Sequence, residues 1–515
     1  NFALTLDNAM AGLSIAQPVT LDAATEQIIS GAADLSLNGG ISATAGTLSS
    51  TGGTLSASSF SVGAAGTVNI QGSTLTLPAG GTAVTGAAFT TSGTTISLGG
   101  TLEVANTWTS TNTNLSLTDN ASLSSTAPLA LATLTTNGHD FDLDSVTTDL
   151  TLANAFTLSA GKMSTHGADL IFESSADISS DSTLDAGDGG KFEFKQGGTA
   201  NGTINAESAV FKIGAAYAVP GTLKTNSSTT WDLGTSNLNL SGGRLYLGGN
   251  VVLDKVLTDN QTKFRLNGED TTVTRNQGFT LGGLDLDNST LTLGSATTDL
   301  TLDIGDSSDN GTGSGSSDNG SGSGSPSGTL ATVIADLTFT GDFADLPAGI
   351  TLSSTGGKIT FEEGGAVNGG TLNLQNSTLA VGSSFSKTGG TLTLSGTDLK
   401  LLSNLSLSSN SAVTLDSYQP NEFNLVLSDN STGTISLGTI TLASENIKVL
   451  GGTLSLAGGS SVGANGLIEV GEQGNLSLQG NLAVTGTLDL NNGATINLAN
   501  NVTANLSGGQ LELSG

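Results

Sequence analysis

The chain has 515 residues, of which 44 are acidic and 14 basic, and a formal net charge of −30 at pH 7. This balance argues against binding to nucleic acid or to an anionic membrane surface, because both need a basic protein surface. The absence of cysteine excludes disulfides and thiolate metal sites, and no run of about 18 apolar residues predicts a transmembrane helix.

Residues 1 to 130 repeat short apolar–x–apolar triplets about every 20 residues. The triplets fall into three columns: Leu35, Leu55, Leu75, Ile96 and Leu115; Ile41, Val62, Val84, Leu102 and Leu123; and Leu48, Val68, Phe89 and Trp108. In a strand such a triplet sends both apolar side chains to one face and the middle residue to the other.

Three short strands per repeat, separated by glycine and asparagine, predict a solenoid in which each turn packs only on its neighbours. Strands that return after about 20 residues to pair with the turn below form a parallel sheet. The sequence therefore predicts an all-β fold, a single-stranded parallel β-helix with about 20 residues and three strands per turn. The general preference for right-handed parallel connections favours a right-handed coil.

Residues 130 to 275 keep the period and add charge. Apolar positions recur at Leu150, Leu170, Phe192, Phe211, Trp231 and Val251, and ten of the 14 basic residues lie between Lys162 and Arg275. If the turns stack in register, the outward residues Glu193, Lys212 and Asp232 form a charge ladder. This band is either a solvated face with paired charges or a lateral contact or ligand patch.

Residues 305 to 328 interrupt the pattern with Asp, Asn, Gly and Ser and contain no apolar side chain. We expect a flexible acidic loop or linker between a solenoid at 1–304 and a solenoid at 329–515 that continues the same stack. Asp306, Asp309 and Asp318 in this loop are candidate Ca²⁺ ligands, although their spacing matches no EF-hand. No other cofactor is predicted.

The clearest repeats lie between Leu372 and Leu513. Their columns start at Leu372, Leu392, Val413, Ile435, Leu454, Leu476 and Ile496; at Phe385, Leu405, Leu425, Ile447, Ile468, Leu488 and Leu511; and at Leu379, Leu399, Ile440, Val462, Leu482 and Val502. The third column has a gap at Asp416–Pro420. Because triplets run from Phe2–Leu6 to Leu511–Leu513, we expect an excised or processed piece of a longer protein.

Candidate catalytic residues are few. His139 and His166 lie in glycine-flanked turns outside any triad motif, which favours plain surface histidines. Two acidic sets are candidates for a Ca²⁺ site or for the paired carboxylates of a glycan-active enzyme, although an ordinary acidic surface is the favoured interpretation of both: Asp140, Asp142 and Asp144, and Asp181, Asp185 and Asp188. Asp140, Asp142 and Asp144 should all face solvent, since Phe141 and Leu143 between them face inward. No catalytic residue is assigned.

The phrases Gly-Gly-Thr-Leu-Asn-Leu at 369–374, Gly-Gly-Thr-Leu-Thr-Leu at 389–394, Gly-Gly-Thr-Leu-Ser-Leu at 451–456, Gly-Thr-Leu-Asp-Leu at 486–490 and Gly-Gly-Gln-Leu-Glu-Leu at 508–513 carry a resemblance. They resemble the repeats of large bacterial exported β-solenoids, the filamentous-haemagglutinin-like adhesins and autotransporter passenger domains. The resemblance implies a secreted right-handed β-helix that serves as an adhesin or surface fibre, and it carries over no binding residue.

The resulting expectation is a non-enzymatic extracellular structural protein that forms a surface fibre, a filament subunit or an adhesin stalk. Its expected partners are further copies, stacked end to end or side by side through uncapped turns, or glycans and proteins of a host or neighbouring cell surface. No nucleic acid binding and no membrane insertion are expected. Two alternatives remain: a polysaccharide-binding or polysaccharide-degrading β-helix, and a flat hydroxyl lattice of the ice-binding type suggested by the outward threonines.

Overall fold

A computed structural model describes residues 2–6, 12–105, 108–144, 149–187, 189–287, 289–294, 298–303, 328–340, 346, 348–367 and 369–514. These residues form 64 strands and no helix. The strands pair in parallel and stack as a β-solenoid of about 23 turns with about 20 residues in each, which confirms the predicted fold class. The chain divides into two compact units, Asn1–Tyr246 with Lys255–Leu257, and Leu247–Asp254 with Thr258–Gly515.

The first 35 strands are short segments of two to twelve residues. They are β1 Ala3–Leu6, β2 Leu13–Ile15, β3 Val19–Leu21, β4 Gln27–Ser30, β5 Leu35–Leu37, β6 Ile41–Ala43, β7 Thr47–Thr51, β8 Thr54–Ala57, β9 Phe60–Val62, β10 Thr67–Gln71, β11 Thr74–Leu77, β12 Gly80–Ala83, β13 Ala88–Ser92, β14 Thr95–Val104, β15 Trp108–Thr111, β16 Asn114–Ser125, β17 Leu129–Leu131, β18 Thr133–Thr135, β19 Phe141–Leu143, β20 Leu150–Leu152, β21 Phe156–Leu158, β22 Gly161–Ser164, β23 Asp169–Phe172, β24 Ala176–Ile178, β25 Ser182–Asp185, β26 Lys191–Phe194, β27 Gly198–Thr199, β28 Thr203–Asn205, β29 Val210–Ile213, β30 Tyr217–Ala218, β31 Thr222–Lys224, β32 Thr230–Asp232, β33 Leu238–Asn239, β34 Arg244–Val252 and β35 Val256–Leu257.

The remaining strands follow the same pattern to the end of the chain. They are β36 Lys263–Thr274, β37 Phe279–Leu281, β38 Gly283–Asp285, β39 Thr290–Leu293, β40 Leu300–Asp303, β41 Gly328–Val333, β42 Leu337–Thr340, β43 Ile350–Thr355, β44 Lys358–Phe361, β45 Gly365–Ala366, β46 Thr371–Gln375, β47 Thr378–Val381, β48 Ser384–Lys387, β49 Thr391–Ser395, β50 Asp398–Leu401, β51 Leu405–Ser409, β52 Val413–Leu415, β53 Ser417–Gln419, β54 Leu425–Leu427, β55 Thr434–Leu437, β56 Thr441–Leu442, β57 Asn446–Leu456, β58 Ser460–Val462, β59 Leu467–Leu478, β60 Leu482–Val484, β61 Thr487–Asn491, β62 Thr495–Leu498, β63 Ala504–Asn505 and β64 Gln510–Ser514.

In the first unit a turn consists of three strands, as β5, β6 and β7 show, and the next turn repeats them as β8, β9 and β10. Leu35 of β5 pairs with Leu55 of β8, which in turn pairs with Leu75 of β11. All three leucines are fully buried, while the serine or threonine between the two apolar residues of each strand faces outward. The core is therefore a continuous column of stacked apolar side chains.

The second unit has the same construction. Leu425, Ile447, Ile468 and Leu488 pair in register from β54 to β61 and are buried. Strands β39 and β40 pair with β41 and β42, so the ladder resumes directly after residues 304–327. Apart from Gly328, the predicted loop at 305–328 lies outside the described residues, and the predicted domain bounds stay a prediction.

One column predicted for residues 1 to 130 is partly wrong in register. Ile41 pairs with Phe60, two residues before the predicted Val62. The exposed Val84 lies outside the column, one residue after Ala83, which pairs with Val62. A slip of two residues keeps every side chain on the same face, so alternation alone does not distinguish the two registers.

The same slip occurs in the columns predicted for residues 372 to 513. Phe385 pairs with Leu407 instead of Leu405, and Val462 pairs with Leu442 and Val484 instead of Ile440 and Leu482. Leu482 in turn pairs with Ala504 instead of Val502.

Asparagine and aspartate side chains bond successive turns together. In each case an Oδ1 atom accepts a hydrogen bond of 2.7–3.0 Å from a backbone N–H of the following turn. The acceptors are Asp34, Asn120, Asp140, Asp149, Asp177, Asp254, Asp270, Asp299, Asp336, Asn404, Asn424 and Asn481. These side chains satisfy N–H groups at the ends of strands, as helix caps do at helix ends.

Buried hydroxyls close the corners where a strand turns into the next one. Ser50, Ser125 and Ser409 each donate a hydrogen bond to the carbonyl oxygen two residues further on, at 3.2, 2.8 and 2.9 Å. Such corners bury polar groups without leaving them unpaired.

Candidate functional site

The predicted charge ladder lies on the outer face of the six-stranded sheet β17-β20-β23-β26-β29-β32. Phe192 and Phe211 pair in register and are fully buried, so strand alternation places Glu193 and Lys212 outside. Lys212 in turn pairs in register with Asp232. The predicted ladder of Glu193, Lys212 and Asp232 is confirmed.

Four ion pairs link these side chains, three of them across successive turns and one within β26. Lys191 Nζ lies 3.2 Å from Asp169 Oδ2 and 3.2 Å from Glu193 Oε2. Lys212 Nζ lies 3.5 Å from Glu193 Oε1 and 3.5 Å from Asp232 Oδ2. Glu193 therefore accepts from two lysines, one in its own strand and one in the next turn.

The pKa values follow from this geometry. Burial disfavours the charge on both Lys191 and Glu193, yet their mutual hydrogen bond and the neighbouring charges outweigh burial. The pKa of Lys191 is raised above its ordinary value and the pKa of Glu193 is lowered below its own. Both side chains are thus held in their charged forms at neutral pH.

Stacked aromatic rings lie directly behind the ladder. The Phe156 and Phe172 ring centroids are 5.3 Å apart, those of Phe172 and Phe194 5.0 Å, and those of Phe194 and Tyr217 4.4 Å. Tyr217 Oη also donates a 3.0 Å hydrogen bond to the carbonyl oxygen of Ala176. Rings at these separations contribute beyond their buried area, so the charged face has a closely packed support.

Other lysines of the band are paired in the same way. Lys162 Nζ lies 2.7 Å from Asp185 Oδ2, and Lys195 Nζ lies 2.6 Å from Glu173 Oε1. The geometry therefore supports the interpretation of this band as a solvated face with paired charges.

The acidic candidates differ in their exposure and in their hydrogen-bond partners. Phe141 and Leu143 are fully buried, so Asp140, Asp142 and Asp144 face outward as predicted. Asp140 Oδ1 accepts a 2.7 Å hydrogen bond from the backbone N–H of Lys162, which makes it an inter-turn cap.

Asp185 is also bound within the protein. Its carboxylate accepts hydrogen bonds from the Gly187 N–H and from Asn205 Nδ2, both at 3.1 Å, in addition to its ion pair with Lys162. Burial tends to raise the pKa of Asp185, but these partners outweigh burial and lower it. Asp181 is exposed, and Asp188 lies outside the described residues.

The histidines lie apart from any nucleophile arrangement. His166 Nε2 is 3.7 Å from Asp142 Oδ1 on the exposed surface, and His166 occupies a left-handed turn with φ of 46°. His139 lies in a second glycine turn, where its backbone N–H donates to the carbonyl oxygen of Thr136. Within the described ranges, no group of three or more His, Asp or Glu is arranged to hold a metal ion.

The candidate Ca²⁺ ligands Asp306, Asp309 and Asp318 lie outside the described residues. They stay a prediction.

The residues that sequence reasoning missed are the inter-turn caps. Their signal is visible in hindsight, because an aspartate or asparagine often stands immediately before the first inward residue of a strand, as in Asp34-Leu35, Asp149-Leu150 and Asn424-Leu425. Asp and Asn caps and lysine ion pairs thus bond successive turns together at many places on the described surface.

No helix in the described part of the chain has the length and apolar character needed to cross a membrane. No family model, curated protein or solved structure matches the chain.

Proposed function

We propose that the chain is an extracellular, non-enzymatic structural β-solenoid that serves as the shaft of a surface fibre or adhesin stalk. One observation carries the proposal: Asp and Asn caps and lysine ion pairs recur along the described surface and bond one turn to the next. The ladder around Glu193 and the caps at Asp140 and Asn424 are examples.

Inter-turn bonds of this kind suit the shaft of a fibre. Each surface ion pair contributes only about 0.2–1 kcal/mol, but the bonds recur at turn after turn. In a solenoid the stability is the sum of such nearest-neighbour terms, so the repeated bonds stiffen the whole stack.

Composition supports an extracellular setting. No Lys or Arg precedes Lys162, which leaves trypsin-like proteases no cleavage site in the first 161 residues. The chain has no cysteine to form unwanted disulfides in an oxidising compartment.

The proposal includes two kinds of partner. Further copies of the chain can add to the stack end to end or laterally, because any turn edge presents the same parallel ladder that joins the turns. Glycans or proteins of a host or neighbouring cell surface are the partners of an adhesin stalk.

The test is antibody labelling of intact cells that make the full-length protein, followed by electron microscopy. The proposal expects gold particles on fibres outside unpermeabilised cells; labelling that requires permeabilisation would contradict it. In parallel, incubation of the purified chain with acidic and neutral polysaccharides should release no new reducing ends or unsaturated products. Catalytic release would instead establish the glycan-active alternative.

A further inference from the structure

Strand β49 of the second unit ends its ladder on the side of the following turn, as β53 does in a neighbouring sheet. Strand β49 pairs with β46 of the preceding turn, and among the described residues it pairs with no strand of the following turn. Strand β52, which takes the equivalent place in that turn, pairs only with β55. The predicted step from Leu392 to Val413 is therefore a seam in an otherwise continuous sheet. We call the facing edges of β49 and β52 the seam.

The inward leucines of β46 and β49 differ in burial, which shows the effect of the seam. Leu372 and Leu374 of β46 are fully buried, as inward leucines are elsewhere. Leu392 and Leu394 hold the same inward positions in β49 but are only half-buried, and the outward residues of β49 are all exposed. The two strands have nearly the same sequence, Thr-Leu-Asn-Leu-Gln and Thr-Leu-Thr-Leu-Ser, so the difference comes from the missing neighbour.

Backbone polar groups point into the seam. The N–H of Thr391 donates to the carbonyl oxygen of Gly370, so this residue faces the preceding turn. Because successive residues of a strand direct their N–H and C=O groups to opposite sides, Leu392 and Leu394 direct theirs toward the seam. An unpaired strand edge of this kind is a weak point of a sheet.

The corner that leads into β49 differs from the other corners. Lys387 is 7% exposed, and its Nζ donates to the carbonyl oxygens of Gly389 and Gly390 at 2.7 and 3.3 Å. In the next turn the residue paired with Lys387 is Ser409, whose hydroxyl makes the equivalent bond to the carbonyl oxygen of Ser411.

A lysine side chain needs more room than the serine that closes the equivalent corner of the next turn. Its ammonium lies near apolar side chains, and the two hydrogen-bond partners given above are carbonyl oxygens, not carboxylates. A cavity of about 10 Å³, the space of about one water molecule, lies behind the seam and is lined by Lys387, Leu392, Leu394, Leu407 and Val413. Lys387 thus fills a corner that a serine closes in the next turn.

We infer that the wall of the second unit opens locally at the seam between β49 and β52, and that Lys387, in place of a corner serine, sets this weak point. The inference does not depend on the proposed function, since it concerns only local opening of the fold at the seam. Local opening draws on regions with few buried contacts and unpaired backbone groups, and the seam has both.

Hydrogen exchange of the purified chain, measured by mass spectrometry, tests the inference. Peptides that cover β49 should exchange about tenfold faster or more than peptides that cover β46, a factor close to the loss of one net hydrogen bond. Equal protection of the two strands would overturn the seam as an opening point.

The role of Lys387 is tested by comparing K387S with K400S, a matched control at an outward lysine of the following strand. K387S should slow exchange in β49 toward the rate of β46, while K400S should leave it unchanged. If β49 exchanges as fast in K387S as in the unmodified chain, Lys387 is not the cause of the seam. The comparison of β49 with β46 in the unmodified chain stands even if K387S fails to fold.

Discussion

Two buried tyrosines should respond in opposite ways to loss of the hydroxyl. Tyr418 fills the gap in the third predicted column by pairing with Leu399, and it is 5% exposed. Its Oη is buried and has no hydrogen-bond partner, and burial together with Glu445 raises its pKa. Tyr217 is 1% exposed, but its Oη donates to Ala176.

An unpaired buried hydroxyl costs roughly 1–3 kcal/mol, whereas a satisfied hydrogen bond contributes about 1 kcal/mol. Tyr418→Phe should therefore raise the free energy of unfolding by about 1 kcal/mol. Tyr217→Phe should lower it by about the same amount, because it removes a bond of 3.0 Å.

The assay is equilibrium unfolding in guanidinium, followed by far-UV circular dichroism so that strands of both units contribute to the signal. The Tyr418→Phe midpoint should move to higher denaturant and the Tyr217→Phe midpoint to lower denaturant. A Tyr418→Phe protein that unfolds at lower denaturant would refute the reasoning, since it would mean that the hydroxyl is satisfied.

Three further predictions concern the hydrogen bonds and ion pairs of carboxylate and amide side chains. Glu193→Gln should cost about 1–2 kcal/mol in urea unfolding, since its 13%-exposed carboxylate is shared by two lysines. Glu173→Gln, with a 42%-exposed carboxylate and one lysine partner, should cost less than about 0.5 kcal/mol, and equal costs would contradict the ladder. Asn424→Ala should cost about 1 kcal/mol, because it removes the acceptor of the Asn446 N–H at 2.7 Å; an unchanged midpoint would count against the caps. Burial tends to raise the pKa values of Glu193 and Glu445, but their hydrogen-bond partners outweigh burial and lower both pKa values. These side chains therefore stabilise the fold above about pH 4.5 and lose that effect as the pH falls through the folded pKa. Urea midpoints should accordingly fall on acidification below about pH 4.5, and a midpoint that rises there would contradict the sign.

The period of the sequence was sufficient to predict the fold. Columns such as Leu35-Leu55-Leu75 and Leu425-Ile447 pair as predicted, and a slip of one residue is disfavoured because it would turn the apolar face outward.

The sequence pattern did not distinguish registers that differ by two residues, since both registers bury the same face. At Phe385 the choice of Leu407 over Leu405 depends on the geometry of the intervening turn. The sequence pattern also did not reveal the seam, because the spacing from Leu392 to Val413 resembles the other steps; we infer its cause from the inward direction of Lys387.

Of the candidate site, the ladder at Glu193, Lys212 and Asp232 followed from alternation and period alone. The sequence did not predict that Asp140 and Asp185 would be occupied by partners from neighbouring turns. Those bonds depend on which backbone N–H group lies opposite each carboxylate, and that follows only from the three-dimensional register.

Regular stacking of the turns underlies the proposed structural role, and pulsed electron paramagnetic resonance measures it directly. Because the chain has no cysteine, spin labels attach only to cysteines that are introduced by substitution. Outward positions Ser14, Ser56 and Thr135 lie in one column of the first unit. Spin labels on cysteines at Ser56 and Thr135, four turns apart, should be separated by about 19 Å, and labels at Ser14 and Thr135, six turns apart, by about 29 Å. An increase of about 4.8 Å per turn is the result expected of the parallel stack, and a separation that does not grow with the number of turns would contradict it.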